Sequence, residues 1–456
     1  MLDDTIAAIA TPLGQGGLAI IRVSGENAVT VGDAVFRPPN GADDHLAKAN
    51  SHTIHYGHIV HGSQRIDEVM VSVMRAPATF TREDIVEINC HGGMQSTRAV
   101  LDAVLNAGAR LALPGEFTKR AFLHGRIDLA QAEAVADLIH ARTDLALNAA
   151  NEQLAGKLSQ RINQLRDDTM HVLAHVEAHI DFPDEDIEPD TMDGLLKRLE
   201  STEAFIDQLL ATANEGQLVR KGIRVAIVGR PNAGKSSLLN QLLGHDRAIV
   251  SDIAGTTRDT ISEEAQIRGI PVVFVDTAGL QETEDVVEQE GVRRSRASLG
   301  QADLVLHVLD ASEPPDPDAE ARLADLADRN CIVVLNKSDL PSQLGQANMH
   351  GCQSVPVSCL NPDGIEALKD AIRASVWDGE ITTEMLEVML NSRHQEALNR
   401  AKASLQAALG QLREGAVLDL VAVDLRIATN AIGEIVGKTT TEDLLDSIFS
   451  TFCIGK

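Results

Sequence analysis

Residues 224–243, RVAIVGRPNAGKSSLLNQLL, constrain this 456-residue chain more than any other stretch. A short apolar run ends at Gly229, the pattern G-x-x-x-x-G-K-S follows through Gly234, Lys235 and Ser236, and a helical pattern begins at once. That order is a phosphate-binding loop. Glycines let successive backbone N–H groups converge on phosphate oxygens, and the helix N-terminus adds a favourable dipole. Lys235 neutralises the β/γ charge and the Ser236 hydroxyl can ligate Mg²⁺. Strand-like runs at 224–228, 271–275, 304–309, 331–335 and 354–357 alternate with helical stretches, which predicts a doubly wound α/β unit around the loop.

A phosphate loop accepts many nucleotides, so the base-reading element decides between them. Asn336-Lys337-Ser338-Asp339 ends an apolar strand, where such sheets gather ligand contacts. A carboxylate at Asp339 accepts from guanine N1–H and the 2-amino group, whereas adenine would leave it unpaired; the expectation is GTP. Asp276-Thr277-Ala278-Gly279 closes another strand. Asp276 is expected to hold Mg²⁺ indirectly, and the Gly279 N–H to meet the γ-phosphate. Thr256 and Thr257 are placed to close over Mg²⁺ and the γ-phosphate as a switch. In this order the tetrapeptides resemble those of translation-factor-type GTPases, although the last base-contacting loop reads Ser358-Cys359-Leu360 in place of Ser-Ala-Lys. Leu280 stands where Ras-like enzymes carry Gln, so another group must orient the water and supply a cation at the β–γ bridge. Asn232 offers an amide oxygen to a monovalent cation, or it braces the loop. Glu288 offers a carboxylate to water, or it is one exposed acid among several in QETEDVVEQE. Arg258 is a rival charge source.

Composition narrows the partners. The length suggests roughly three domains. Apolar residues at 44% exclude wholesale disorder, and aromatics at only 2% favour helix packing over a β-rich body. Forty basic against 67 acidic residues give a formal charge of −27, which opposes tight, sequence-independent binding to a phosphate backbone. A nucleic acid substrate then needs a local basic patch or a partner. The five cysteines, Cys90, Cys331, Cys352, Cys359 and Cys453, form no CxxC pair and are expected to be reduced. The acidic start MLDDTIAAIATPLG lacks a signal peptide's positive charge, and no apolar run approaches the ~20 residues that cross a bilayer. The expected location is cytoplasmic, with no membrane partner.

Around the nucleotide unit the pattern changes twice. Residues 1–118 read as α/β, with a hairpin from strands 5–10 and 18–23, further strands at 65–74 and 84–90, and a helix from the Cys90-His91-Gly92-Gly93 junction to about 106. That junction can bind an anion or be a plain turn. His52, His55, His58 and His61 recur every third residue, a period that scatters side chains on a strand instead of gathering metal ligands. Residues 128–180 read as a helix pair that stops at the acidic, proline-containing 181–190, a solvated connection, and another helix follows from 192 to about 213. Helices return at 381–414, 416–436 and 441–452, the last with Thr440 and Asp443 as caps. Helices on both sides of an α/β unit predict an inserted nucleotide domain within one discontinuous helical domain.

Three further stretches carry a more specific likeness. ATPLGQGGLAIIRVSG near the start, PGEFTKRAFLHGRIDLAQAEAVADLI at 114–139 and the final FCIGK, joined by IDFPDED and AIVSDIAGTTRD, resemble the MnmE (TrmE) family of tRNA modification GTPases along the whole chain. The resemblance implies an α+β folate-binding and dimerising domain at 1–118, a helical domain at 119–215 and 379–456, and an inserted GTPase domain at 216–378. It implies a homodimer whose GTPase domains meet across the nucleotide face in the presence of K⁺. Asn232 then looks like a K⁺ ligand alongside main-chain oxygens of Ser251, Asp252, Ile253, Ala254, Gly255 and Thr256. Ser236 and Thr257 match Mg²⁺ positions, Glu288 matches the catalytic glutamate, and Ala233 and Ser237 join the nucleotide contacts. Family members work with the FAD-containing partner MnmG, in a heterotetramer, to attach an aminomethyl or carboxymethylaminomethyl group to carbon 5 of a wobble uridine in certain tRNAs. The one-carbon unit comes from 5-formyl- or methylene-tetrahydrofolate. Matching folate positions are Arg22, Glu87, Arg126 and Lys456, with Arg126 standing where the family commonly has lysine. Cys453 matches a terminal cysteine assigned to the modification chemistry; a packed thiol is the alternative, and prenylation is opposed by Gly455 and Lys456. A ribosome-assembly or scaffold GTPase, and a folate-dependent transferase with a merely regulatory GTPase, are the competing readings.

Overall fold

The computed structural model describes residues 4–42, 44–62, 64–181, 189–211, 213–244, 263–275, 300, 302–314, 323–324, 326, 329–344, 349–361, 363–377 and 388–456. Contacts divide the chain into two compact units, one of residues 1–136, 153–203 and 400–456, the other of 137–152 and 204–399. The first unit therefore contains both ends of the chain and the second lies between them in sequence.

The first unit opens with β1 (Ile6–Ile9) and β2 (Ala19–Ser24), paired antiparallel with Ile6 opposite Ser24, which is the expected hairpin. It continues with α1 (Ala28–Val35), β3 (Phe36–Arg37), β4 (Thr53–His61), β5 (Gln64–Met74), β6 (Ile85–Cys90), α2 (Met94–Asn106) and β7 (Arg110–Leu111). The strands form one sheet in the order β3-β4-β5-β6-β2-β1-β7. Strand β4 was not expected. The run of histidines hides its alternation, and the structure sends His55 to His45 (Nδ1 to Nε2, 3.0 Å) while His61 lies exposed at the strand end. Alternate residues such as Ile21, Val23, Val71, Val73, Val86 and Ile88 are fully or almost fully buried beneath α1 and α2. Each such side chain contributes roughly 1.5–3 kcal/mol on leaving water.

Helices follow: α3 (Glu116–Leu123), α4 (Leu129–His140), α5 (Asp144–Leu154), α6 (Lys157–Asp181) and α7 (Pro189–Ala211). The expected helix pair at 128–180 is three helices. Thr143 caps α5 through its hydroxyl, which accepts from the Ala146 N–H at 3.1 Å, and a turn at Gly156 separates α5 from α6. Most of the acidic connection at 181–190, residues 182–188, lies outside the described residues. Helix α6 buries Leu158, Ile162, Leu165, Val172 and Val176 at spacings of three, four and seven, one face of an α-helix.

The second unit holds most of α5, the end of α7, α8 (Ala213–Lys221), β8 (Ile223–Gly229), α9 (Lys235–Leu243), β9 (Glu263–Ile267), β10 (Ile270–Val275), β11 (Leu304–Asp310), β12 (Cys331–Asn336), β13 (Gln353–Val357) and α10 (Ile365–Val376). Helix α8 occupies the place expected for a boundary near 216. The sheet order is β13-β12-β11-β8-β10-β9, parallel throughout except for the edge strand β9, which joins β10 antiparallel through the two-residue turn Arg268-Gly269. That hairpin strand was missed because its outward residues, Glu263, Glu264 and Gln266, are polar. Val225, Phe274, Leu306, Val308, Ile332 and Val334 fill the core against Leu238 and Leu242 of α9 and Leu368 and Ile372 of α10.

Three more helices complete the chain: α11 (Ser392–Glu414), α12 (Leu418–Val436) and α13 (Glu442–Phe449). Helix α11 begins at Ser392, where the Asn391 side chain accepts from the His394 N–H at 2.8 Å and caps it; residues 381–387 of the helix expected from 381 lie outside the described residues. The cap of α13 is Thr441, not Thr440; its hydroxyl accepts from the Leu444 N–H at 3.3 Å. Within the first unit α6 packs along α12, whose buried face is Val421, Leu425, Ala428, Ile432 and Ile435. The helices on either side of the inserted sequence thus pack into one body. No described helix is long and apolar enough to cross a membrane.

Candidate functional site

Parallel strands β8, β11, β12 and β13 all end at the same edge of their sheet, so the loops that follow them converge. They enclose a cavity of about 450 Å³. Asn232, Gly234, Lys235, Ser236 and Ser237 line it from the phosphate loop; Asn336, Lys337 and Asp339 line it from the end of β12, and Cys359 and Leu360 from the end of β13. Motifs separated by more than a hundred positions in sequence therefore face one space.

The loop is held open by its own backbone. Asn232 adopts φ 62°, a conformation that asparagine tolerates better than most residues. Gly234, at φ 93°, sits so close to the Asn336 amide that a Cβ there would collide with it. Asn336 is 2% exposed and donates from Nδ2 to the Ala233 carbonyl at 2.8 Å, tying base loop to phosphate loop. Lys235 donates to the Arg230 carbonyl at 2.7 Å, and burial pushes its pKa down. A phosphate beside it would reverse that penalty, since an opposite charge favours the ammonium form.

On the base side the Ser358 hydroxyl donates to Asp339 Oδ1 at 2.6 Å. This orients the carboxylate, and each of its oxygens has two lone pairs. The Cys359 thiol donates to Asn336 Oδ1 at 3.3 Å, and Gln241 Nε2 donates to the Cys359 carbonyl at 3.0 Å. Leu360, 85% exposed, offers an apolar surface at the cavity mouth. Lys337 pairs with Asp310 Oδ2 at 2.5 Å. That hydrogen bond holds the Lys337 ammonium above its ordinary value; burial opposes the matching drop at Asp310, but Lys337 and Ser312 hold its carboxyl below the usual range. Sequence reasoning missed Asp310, Gln241 and the lining Pro231; an acid at the end of a strand neighbouring the base loop was the available signal.

Other expected residues cannot be placed. Ser251, Asp252, Ile253, Ala254, Gly255, Thr256, Thr257, Arg258, Asp276, Thr277, Ala278, Gly279, Leu280 and Glu288 lie outside the described residues.

A second cluster lies in the first unit. Arg22 of β2 stands opposite Glu87 of β6 in the ladder, and its Nε donates to Glu87 Oε1 at 2.8 Å. Arg22 Nη1 also donates to the Gly455 carbonyl at 3.2 Å, and its guanidinium lies 5.7 Å from the Phe117 ring centroid. Gly455, at φ 94°, approaches β1 so closely that a Cβ would strike the Ile9 carbonyl. The Phe117 N–H donates to the Lys456 carbonyl at 3.2 Å, and the Gly115 N–H to the Cys453 carbonyl at 3.4 Å. The chain's last residues are thus seated on β1 and α3. Cys453 is exposed, which removes the packed-thiol alternative. Arg126 is not bonded into this group: it donates to the Thr79 carbonyl at 2.8 Å and lies 5.7 Å from the Phe80 ring centroid. Phe80 and Phe117 belong to one small apolar cluster with Ile6 and Ala8, so both arginines flank the same cluster.

Beneath it runs a charged network that the sequence did not reveal. Arg120, fully buried, donates to Asp4 Oδ1 at 2.6 Å, to Glu83 Oε1 at 2.9 Å and to Glu116 Oε1 at 3.0 Å. Burial opposes ionisation at Asp4 and Glu116, yet hydrogen bonds from Arg110 and Arg120 hold both carboxyls below their ordinary values.

Known proteins match this chain over its length. The family profile described as the GTP-binding protein TrmE N-terminus matches residues 5–126, and the MnmE helical domain matches residues 129–453. The tRNA modification GTPase MnmE of Geobacillus kaustophilus is 49% identical over 460 residues, covering 99% of both chains. That of Listeria innocua is 48% identical over 458 residues, again covering 99% of both. Among solved structures, Aquifex aeolicus Era bound to GDP.AlF4- is 31% identical over 40% of this chain and 66% of its own, with a TM-score of 0.26. The two full-length relatives and the two profiles carry the assignment: with its P-loop GTPase unit inserted in a helical domain behind an α+β N-terminal domain, the chain belongs to the MnmE family of tRNA modification GTPases.

Proposed function

We propose that this chain hydrolyses GTP to drive a modification of tRNA in which, with the FAD-dependent partner MnmG, an aminomethyl or carboxymethylaminomethyl group is added to carbon 5 of a wobble uridine. The observation that carries this reading is the seat of the last four residues on β1 and α3, where Arg22 bonds both Glu87 and the Gly455 carbonyl while Cys453 stays exposed. A guanine-nucleotide switch alone would not require that second site.

The residues fit the groups the reading needs. Two guanidiniums flanking one apolar cluster, with Glu87 and Lys456 beside them, suit the carboxylates and the flat ring system of a tetrahydrofolate, which would supply the one-carbon unit. Ser236 lines the cavity at the first turn of α9 and would ligate Mg²⁺, while Asn232 at the cavity wall would ligate K⁺. These cations neutralise charge that develops on the phosphates. Within the chain we assign 1–118 to folate binding and dimerisation, 119–215 with 379–456 to the helical domain, and 216–378 to GTP hydrolysis. The working species is a cytoplasmic homodimer that joins MnmG in a heterotetramer, and the formal charge of −27 leaves most tRNA affinity to that partner.

The test is a tRNA nucleoside profile by mass spectrometry of cells lacking the protein, complemented with the intact chain. Loss and recovery of the modified wobble uridine is expected. Unchanged nucleosides together with co-sedimentation on a ribosomal subunit would replace this reading with ribosome assembly. Hydrolysis should run much faster in K⁺ than in Na⁺ and lose that difference in Asn232→Ala; equal rates in both salts for the intact chain would refute the K⁺ role.

A further inference from the structure

Asn336 has two N–H donors and one carbonyl oxygen on its side chain. One N–H is taken by the Ala233 carbonyl at 2.8 Å, and Oδ1 receives the Cys359 thiol at 3.3 Å. The amide is gripped on its donor side by backbone and on its acceptor side by sulfur. Its second N–H is left for the cavity that Asn336 lines. Asp339, three residues on, reads the N1 and 2-amino edge of a guanine, so the opposite edge, with its N7 and O6 acceptors, falls to the amide.

We propose that Cys359 is a positioning residue for guanine recognition: its S–H holds Asn336 Oδ1 and so aims the remaining amide N–H at N7 of the base. The chain carries cysteine where the Ser-Ala-Lys pattern has alanine, a side chain that cannot donate. Burial pushes the Cys359 thiol up, and the nearby Asp339 carboxylate adds to this, so the sulfur keeps the proton the bond requires. The Cys359 backbone is itself fixed by Gln241 Nε2 from α9, so the thiol acts from a braced position.

The inference rests on the cavity being the guanine site, and its test separates the two. GDP and 7-deaza-GDP, which lacks the N7 acceptor, are titrated against the full chain, Cys359→Ala and Cys359→Ser. The intact chain should prefer GDP. Cys359→Ala should weaken GDP about two- to fivefold, the lower part of the range for a neutral hydrogen bond, and leave 7-deaza-GDP unchanged, so the preference narrows. Cys359→Ser, whose hydroxyl donates in the same place, should restore it. A loss of packing alone would weaken both nucleotides equally. An alanine variant that keeps the intact chain's GDP to 7-deaza-GDP ratio, or a serine variant that tracks alanine, overturns the role of Cys359. An intact chain that binds no guanine nucleotide overturns the cavity assignment itself.

Discussion

The nucleotide cavity and the carboxy-terminal seat, to which the proposed function gives one anionic ligand each, are built by opposite means. The phosphate loop of the cavity is shaped by backbone: Asn232 and Gly234 at positive φ set it, and the Asn336 side chain bonds the Ala233 carbonyl. The seat depends on side chains that reach over long separations, with Arg22 bonding the Gly455 carbonyl 433 positions away. A backbone site can be written in eight consecutive residues, whereas a side-chain site exists only once the surrounding unit has folded. Damage should therefore stay local at the first and spread at the second.

The largest contrast is expected from Arg120→Met. Removing the buried cation leaves Glu83 uncompensated and strips one partner each from Asp4 and Glu116, at a cost of about 3–5 kcal/mol in unfolding free energy by denaturant titration. The pH dependence gives a second readout. Asp4 and Glu116 start from ordinary values of 3.8 and 4.5 and are lowered in the folded state, so their stabilisation is complete above those values and disappears as pH falls through the lower, folded ones. Arg120→Met should flatten that acid slope. Lys235→Ala comes next, with kcat for GTP hydrolysis down about 10²–10³-fold and the unfolding midpoint of the first unit unchanged. A loss of stability as large as that of Arg120→Met would break the distinction between the two sites.

Gly455→Ala places a Cβ against the Ile9 carbonyl and strains a left-handed residue, for about 1–3 kcal/mol. It should abolish the tRNA modification while GTP hydrolysis stays within about twofold, a margin far below the tenfold that 1.4 kcal/mol represents. Parallel loss of both activities would show that the seat also supports the nucleotide unit. Thr441→Ala removes the cap of α13, which carries the final residues, and should cost about 1 kcal/mol and lower modification only slightly.

The same contrast explains what could be read from the sequence. Gly229 to Ser236, Asn336 to Asp339 and the parallel strands were legible because each is a local pattern with one physical meaning. Arg22 and Glu87 were reached only through family resemblance, and the Arg120 network stayed hidden because Arg120 and Glu116, one turn apart on α3, read as a solvated helix pair until Asp4 and Glu83 arrive from distant segments. Helix limits failed where a polar side chain intervened: Thr143 caps a new helix within a stretch that apolar periodicity reads as continuous.

One consequence concerns how such a chain is made. The unit that carries α6 and α12 is closed by contacts such as Arg426 to Glu177, 249 positions apart, and Gln406 to Glu203 where the chain departs and returns. Closing a flexible loop of that length is entropically costly, though each doubling adds only about 0.6 kcal/mol. If the inserted unit folds first, the loop becomes a compact body and the two flanking helices are delivered to one another. The GTPase fold would then act as an internal chaperone for the helical domain, and a substitution that merely slows its folding would trap the chain with α6 and α12 apart.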